Sequence, residues 1–212
     1  MKLGDWINRK RHNRGYGVQS PSAFFFVTQV LRERLPYYAY ATLDKAAREC
    51  NASTRLMREL FRITNHHNPS SCIAVGSTAA ACAMALAKPS ASTLHIGSKA
   101  TDTVADIFSA CNCTQQQGNA PQLLEATLGN TPLGMLYIGQ CPHRKETVAT
   151  AMHHANANSI IVIEGIHNDS ATLKWWEQLV ADKQTIITYD MYSCGILLFN
   201  KERIKQHYTL KL

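Results

Sequence analysis

The chain is short of charge. Asp, Glu, Lys and Arg make up 17% of its 212 residues, against about a quarter in an ordinary globular domain. Ser, Thr, Asn, Gln and His must therefore carry much of the surface. No apolar run approaches the ~18 residues a membrane span needs. No secretory signal is expected either. The opening Met1–Ile7 precedes the basic Arg9-Lys10-Arg11, and no small-residue cleavage site follows, so the expected compartment is the cytoplasm. Cys-x-x-Cys pairs are absent. Seven cysteines, Cys50, Cys72, Cys82, Cys111, Cys113, Cys141 and Cys194, are an odd number without zinc-knuckle spacing. That argues against a disulfide framework and for reduced thiols. There is no P-loop, no complete Gly-x-Gly-x-x-Gly and no nucleophile elbow around Ser20 or Ser193, which removes the usual sequence signs of those chemistries.

What remains is a globular chain with 45% hydrophobic residues, long enough to bury a sizeable core. The 22 Lys and Arg exceed the 15 Asp and Glu, giving a formal charge of +7, which favours anionic partners at long range. Lys2, Arg9, Lys10, Arg11 and Arg14 form a basic arm opposed only by Asp5. Only Trp6 and Tyr16 supply aromatics there, which argues against nucleic acid. A small molecule or a protein is the expected partner, and a homodimer fits the same reading.

The first third reads as helical. After the turn-rich Gly15–Pro21, Phe24, Phe25, Phe26, Val27, Val30 and Leu31 form an apolar stripe that Pro36 ends. Tyr40, Leu43, Ala47 and Cys50 mark a second helix, and Leu56 to Thr64 a third from about Ser53 to His66. The pattern then changes to short β-branched runs stopped by glycine. These are Cys72–Val75 before Gly76, Leu94–Ile96 before Gly97, Leu133–Ile138 before Gly139 and Ile160–Ile163 before Glu164-Gly165. A weak strand covers Thr114–Gln117, and Thr185–Tyr189 and Gly195–Phe199 end the series. Continuous apolar strands are those of a parallel sheet covered on both faces. Helical segments Thr78–Ala87, Lys99–Ala110, His143–Ala155 and Ser170–Asp182 separate them, giving right-handed βαβ units. The last two strands lie too close for a crossover helix and must be antiparallel. The expected organisation is a basic arm and helical extension over 1–68, and one compact α/β unit over 69–212.

In open α/β sheets ligands bind beyond the carboxyl ends of the strands. Those ends carry Gly76, Gly97, Gly139 and Gly165, and glycine permits close backbone approach. Gly76-Ser77-Thr78 opens a helix whose small residues suit a ligand at its N-terminus.

With these segments in order, the chain resembles the class I S-adenosylmethionine-dependent methyltransferases, near small-molecule O-methyltransferases. More narrowly it is similar to bacterial methyltransferase-like proteins known mainly from Bacteroidetes. Tyr16–Phe24, Pro36–Tyr40, Leu60–Arg62, Ile73–Ser77, His143–Glu146, Ile166-His167 and Gly195–Phe199 carry the resemblance. It implies a Rossmann-like seven-stranded sheet, order 3-2-1-4-5-7-6 with strand 7 antiparallel, and S-adenosylmethionine as cofactor. It places cofactor contacts at Gly76, Ser77, Thr78, Gly97, Ser98, Gly118, Asn119 and Gly139. The chain departs from the family at acidic positions. Ala74 stands two before the first glycine, Gly97 where an acid holds the ribose hydroxyls, and Gly139 where the fourth strand ends in Asp. Losing the ribose carboxylate removes charge-assisted bonds worth on the order of 1.5–3 kcal/mol. No metal is expected, since hard cations need oxygen ligands. Glu164, the retained acid, and His167 are the candidate catalytic residues. The expected function is a divergent methyltransferase with a small-molecule acceptor; the alternative is an inactive member of the fold acting as a binding or assembly module.

Overall fold

The computed structural model describes residues 18, 20–98 and 101–210. The basic cluster, most of the turn-rich opening and the start of the helix expected from Lys99 lie outside the described residues.

Helix α1 (Pro21–Phe25) starts with proline at its first turn and widens into a π-helical turn, Phe26–Leu31. Proline suits that position because its missing N–H would be unpaired anyway. Helix α2 (Tyr40–Glu49) ends where Asn51 adopts a left-handed conformation, φ 51°. The Ala52 amide then donates to the Ala47 carbonyl at 2.8 Å, closing the helix end. Helix α3 (Thr54–His67) is capped by Ser53, whose Oγ accepts from the Leu56 amide at 3.3 Å, a bond worth about 1 kcal/mol.

The α/β unit follows as β1 (Ser71–Val75), α4 (Thr78–Ala87), β2 (Ser92–Ile96), α5 (Asp102–Ala110), β3 (Cys113–Gln116), α6 (Ala120–Leu128), β4 (Met135–Ile138), α7 (Arg144–His153), β5 (Ile160–Glu164), α8 (Ser170–Ala181), β6 (Ile187–Asp190), β7 (Cys194–Leu198) and β8 (Gln206–Thr209). The sheet order is β3-β2-β1-β4-β5-β7-β6-β8. Strand β7 runs antiparallel to both β5 and β6. The expected Rossmann-like core is present, with an eighth strand added. Strand β8 pairs parallel with β6; its Gln-His-Tyr-Thr sequence is polar and lies at a sheet edge, so no apolar run announced it. Helix α6 was likewise not expected, because its polar positions obscure the stripe of Ala120, Leu124 and Leu128 that it buries.

The strand period of two divides the core. Cys72, Ala74, Met135, Tyr137, Val162 and Ile196 face one layer, with α1 to α5. Ile73, Val75, Leu136, Ile138, Ile161 and Ile163 face the other, with α6 to α8. Helix α4, Thr-Ala-Ala-Ala-Cys-Ala-Met-Ala-Leu-Ala, is buried almost throughout; its small side chains let it sit deep against β1, β2 and α3. On the opposite layer the Trp176 indole lies over Gly195. A Cβ there would stand 2.5 Å from the ring, so only glycine lets β7 pass under it.

Candidate functional site

The carboxyl ends of β1, β2, β4 and β5 frame a cleft of about 350 Å³. Its floor is Gly76, held at φ +72°. A Cβ there would lie 2.9 Å from Cys141 Cβ and 3.1 Å from the Gln140 carbonyl oxygen. Both the dihedral and the close pass of the β4–α7 loop therefore require glycine. Ser77 caps α4 by accepting from the Ala80 amide at 3.3 Å. Five expected residues line the cleft: Gly76, Ser77, Thr78, Ser98 and Glu164. The α2–α3 loop, Cys50–Ala52, adds a wall, with Thr101 and Gln140 beside it. Sequence reasoning missed that loop; its only signal was an Asn after a helix, a common left-handed terminator.

Two further glycines mark where acids are missing, and other side chains have taken their space. A Cβ on Gly97 would meet His95 Nε2 at 2.8 Å. His95 is wholly buried, edge-on to Phe108 with ring centroids 5.9 Å apart. Its Nε2 lies 3.4 Å from Thr78 Oγ1, and its Nδ1 has no hydrogen-bond partner. Burial pushes the imidazole down to about 4, so it is neutral at pH 7. A Cβ on Gly139 would meet Glu164 Oε2 at 3.1 Å and the Gly76 carbonyl at 3.2 Å. The retained carboxylate thus folds back over the vacated one.

Glu164 is half-buried at the end of β5. Its backbone carbonyl accepts from Arg144 Nη2, and Arg144 Nη1 reaches Gln140 Oε1 at 3.3 Å. The Arg144 guanidinium also sits over the Trp175 ring, 5.6 Å from its centroid. Burial first, then the Glu164 carboxylate, pushes the Tyr137 phenol well above its ordinary value. The carboxylate is near enough to act on that phenol, yet the Tyr137 hydroxyl makes no hydrogen bond of good geometry.

A second cluster stands on the β5–α8 and β6–β7 loops. His167 Nε2 donates to Asp190 Oδ2 at 2.8 Å, and Asp190 Oδ1 accepts from the Tyr192 amide at 2.9 Å. The Tyr192 ring stacks on His167, 4.9 Å between centroids and 14° from parallel. Tyr192 has φ +70°, a left-handed conformation costly for a bulky residue. Asp190 is buried to 5% exposure and fixes the His167 proton on Nε2, making Nδ1 the basic nitrogen. Cys194, the first residue of β7, stands opposite Glu164 in the β5–β7 register. Its thiol is pushed far up, by burial first and then by Glu59, with Glu164 and Asp190 adding to the effect. Asp190 and Tyr192 were missed in the sequence because nothing local links them to His167.

Gly118 and Asn119 stand apart from the residues that line the cleft. Asn119 Oδ1 instead caps α6, accepting from the Gln122 amide at 3.2 Å. Among the described residues no group of three or more His, Cys, Asp or Glu is placed to hold a metal ion, and no helix is long and apolar enough to cross a membrane.

No family model and no curated protein sequence matches the chain. Solved structures do. A Podospora anserina methyltransferase bound to SAH superposes with TM-score 0.61 at 10% identity, covering 87% of this chain and 95% of that one. The O-methyltransferase TomG of Streptomyces achromogenes, in complex with SAM, gives 0.59 at 16% identity over 84% and 95%. A Bacillus cereus O-methyltransferase in complex with SAH gives 0.57 at 12% over 85% and 97%. Identities this low speak for architecture, and with the strand order β3-β2-β1-β4-β5-β7-β6 they establish that the chain has the class I S-adenosylmethionine-dependent methyltransferase fold.

Proposed function

We propose that the protein is a divergent S-adenosylmethionine-dependent methyltransferase acting on an oxygen or nitrogen of a small molecule. We read residues 1–68 as a basic arm followed by a helical extension, and 69–212 as one compact α/β unit. The cofactor's fit is uneven. The Gly76 floor, which no side chain can occupy, and the N-terminus of α4 suit its methionyl end, with Glu164 available to its ammonium group. Gly97 and Ser98 stand at the ribose end without a carboxylate. When bound, the cofactor supplies an electrophilic methyl group on a sulfonium. The residues then have distinct tasks. Thr78, Ser98 and Gln140 offer neutral hydrogen bonds. Arg144 holds the end of β5, and with it Glu164. His167, oriented by Asp190, takes the acceptor's proton through Nδ1, while the main contribution is to hold acceptor and methyl in line.

One observation carries this reading. Asp190 clamps both His167 and Tyr192, and Tyr192 keeps a strained backbone to stack on that imidazole. Backbone strain of this kind costs about 1–3 kcal/mol and concentrates at functional sites. A second reading, an inactive binding module, is favoured by His95, which fills the space a ribose-binding carboxylate at residue 97 would need. Calorimetry with S-adenosylmethionine and S-adenosylhomocysteine tests both. Heat of binding at micromolar to millimolar ligand supports the cofactor reading, and its absence at millimolar ligand removes it. Binding without methyl transfer to any of a panel of phenols, catechols and amines favours the module.

A further inference from the structure

Among the described residues, five arginines line a cavity away from the cofactor cleft. This cavity of about 550 Å³ opens between the 31–35 loop and the first half of α3. Arg32 and Arg34 line it from the loop, and Arg55, Arg58 and Arg62 from the helix; Glu33 and Glu59 are the carboxylates in its lining. Arg62 builds it. Only 8% exposed, it donates through Nε to the Val30 carbonyl at 2.9 Å and through Nη2 to the Leu31 carbonyl at 2.8 Å. Those bonds hold the end of the π-helical turn against α3 and bring the loop arginines to the same cavity as the helical ones. Arg58 is ion-paired with Asp44 of α2 and lies 4.8 Å above the Tyr40 ring centroid. Arg55 Nε reaches Glu59 Oε1 at 3.1 Å.

Five cations against two lining carboxylates leave the cavity positive even after Asp44 is counted. Like charges crowded in a concavity repel one another, and the field they make is focused by its walls. Every cation is arginine, the side chain whose planar fork matches phosphate oxygens two at a time. The volume lies within the range of small-molecule sites and exceeds what a lone phosphate ion needs. We propose that this cavity binds a phosphorylated small molecule of about nucleotide size. The site is independent of whether the cofactor cleft binds an adenosyl ligand.

The test is calorimetric titration of the full chain with pyrophosphate and with adenosine diphosphate. Three variants are compared with the wild type: Arg34→Glu with Arg58→Gln, Arg34→Glu alone, and Lys174→Glu with Lys183→Gln. The last pair is exposed, on or just after α8 on the opposite layer, and changes net charge by the same amount as the first. Circular dichroism confirms folding, and the single variant keeps the Arg58–Asp44 pair intact. The expected result is submillimolar binding by the wild type, about tenfold weaker binding by both arginine-cavity variants, and unchanged binding by the lysine control. Absence of binding by the wild type, or equal binding by the cavity and control variants, overturns the proposal. A single-stranded oligonucleotide that binds with a steep salt dependence while both small ligands do not bind overturns it in favour of a nucleic-acid surface.

Discussion

Restoring the missing ribose anchor by Gly97→Asp is expected to fail alone and succeed only with His95 removed. The new Cβ would stand 2.8 Å from His95 Nε2, and His95 has no exposed surface into which to retreat. Overpacking of this kind costs about 1–3 kcal/mol, a melting-temperature drop of about 2–4 °C per kcal/mol for a chain of this size. The strain also turns the carboxylate away from the ribose position, so affinity for S-adenosylhomocysteine stays at the wild-type level. With His95→Ala added, the imidazole volume becomes free and the carboxylate can accept from a ribose diol. Those charge-assisted bonds are worth about 1.5–3 kcal/mol, a gain of about ten- to a hundredfold in affinity. His95→Ala alone provides the reference. Calorimetry and thermal melting of the four proteins complete a double-mutant cycle. If Gly97→Asp alone tightens binding as much as the double variant and leaves the melting temperature unchanged, His95 is no obstruction. If the double variant binds no tighter than His95→Ala, the ribose does not lie at β2.

Three more outcomes follow from the same geometry. His95 also sets a pH dependence. Its folded value of about 4 lies below the ordinary imidazole value of 6.5, so its stabilising contribution is full above pH 6.5 and is lost as pH falls towards 4, where the unfolded chain takes up a proton the folded one refuses. The loss is about 3 kcal/mol, and denaturant unfolding of His95→Gln across this window should lack it; parallel pH profiles for the two proteins would refute the assignment. Gly139→Ala should destabilise by about 1–3 kcal/mol and be partly rescued by Glu164→Ala, because its Cβ meets Glu164 Oε2 at 3.1 Å; additive effects in urea melts would show that the carboxylate does not occupy that space. Asp190→Asn should lower methyl transfer by at least about tenfold, by releasing the His167 tautomer, while leaving calorimetric affinity for the adenosyl ligand within about twofold; undiminished methyl transfer would assign Asp190 to structure alone.

Most of the fold was legible in the residues. The glycine-stopped apolar runs located β1, β2, β4 and β5, and the short interval before Gly195 gave the antiparallel β7, because a strand covered on both faces must be continuously apolar and a parallel return needs a crossover. The structure caps α3 and α8 with Ser53 and Asp169, whose side-chain oxygens accept from first-turn amides. Strand β8 and helix α6 were not legible, because an edge strand and a mostly exposed helix bury too little to impose a period.

The site divides the same way. Gly76, Ser77 and Glu164 could be placed at strand ends from local pattern alone. What occupies the vacated positions could not. His95 under Gly97, Glu164 beside Gly139, Asp190 on His167 and Arg62 on the Val30 and Leu31 carbonyls each join residues by the direction a side chain takes once the backbone is set. Periodicity records which face a residue turns to; it carries no record of which distant residue meets it there, and that meeting exists only after the layers have packed.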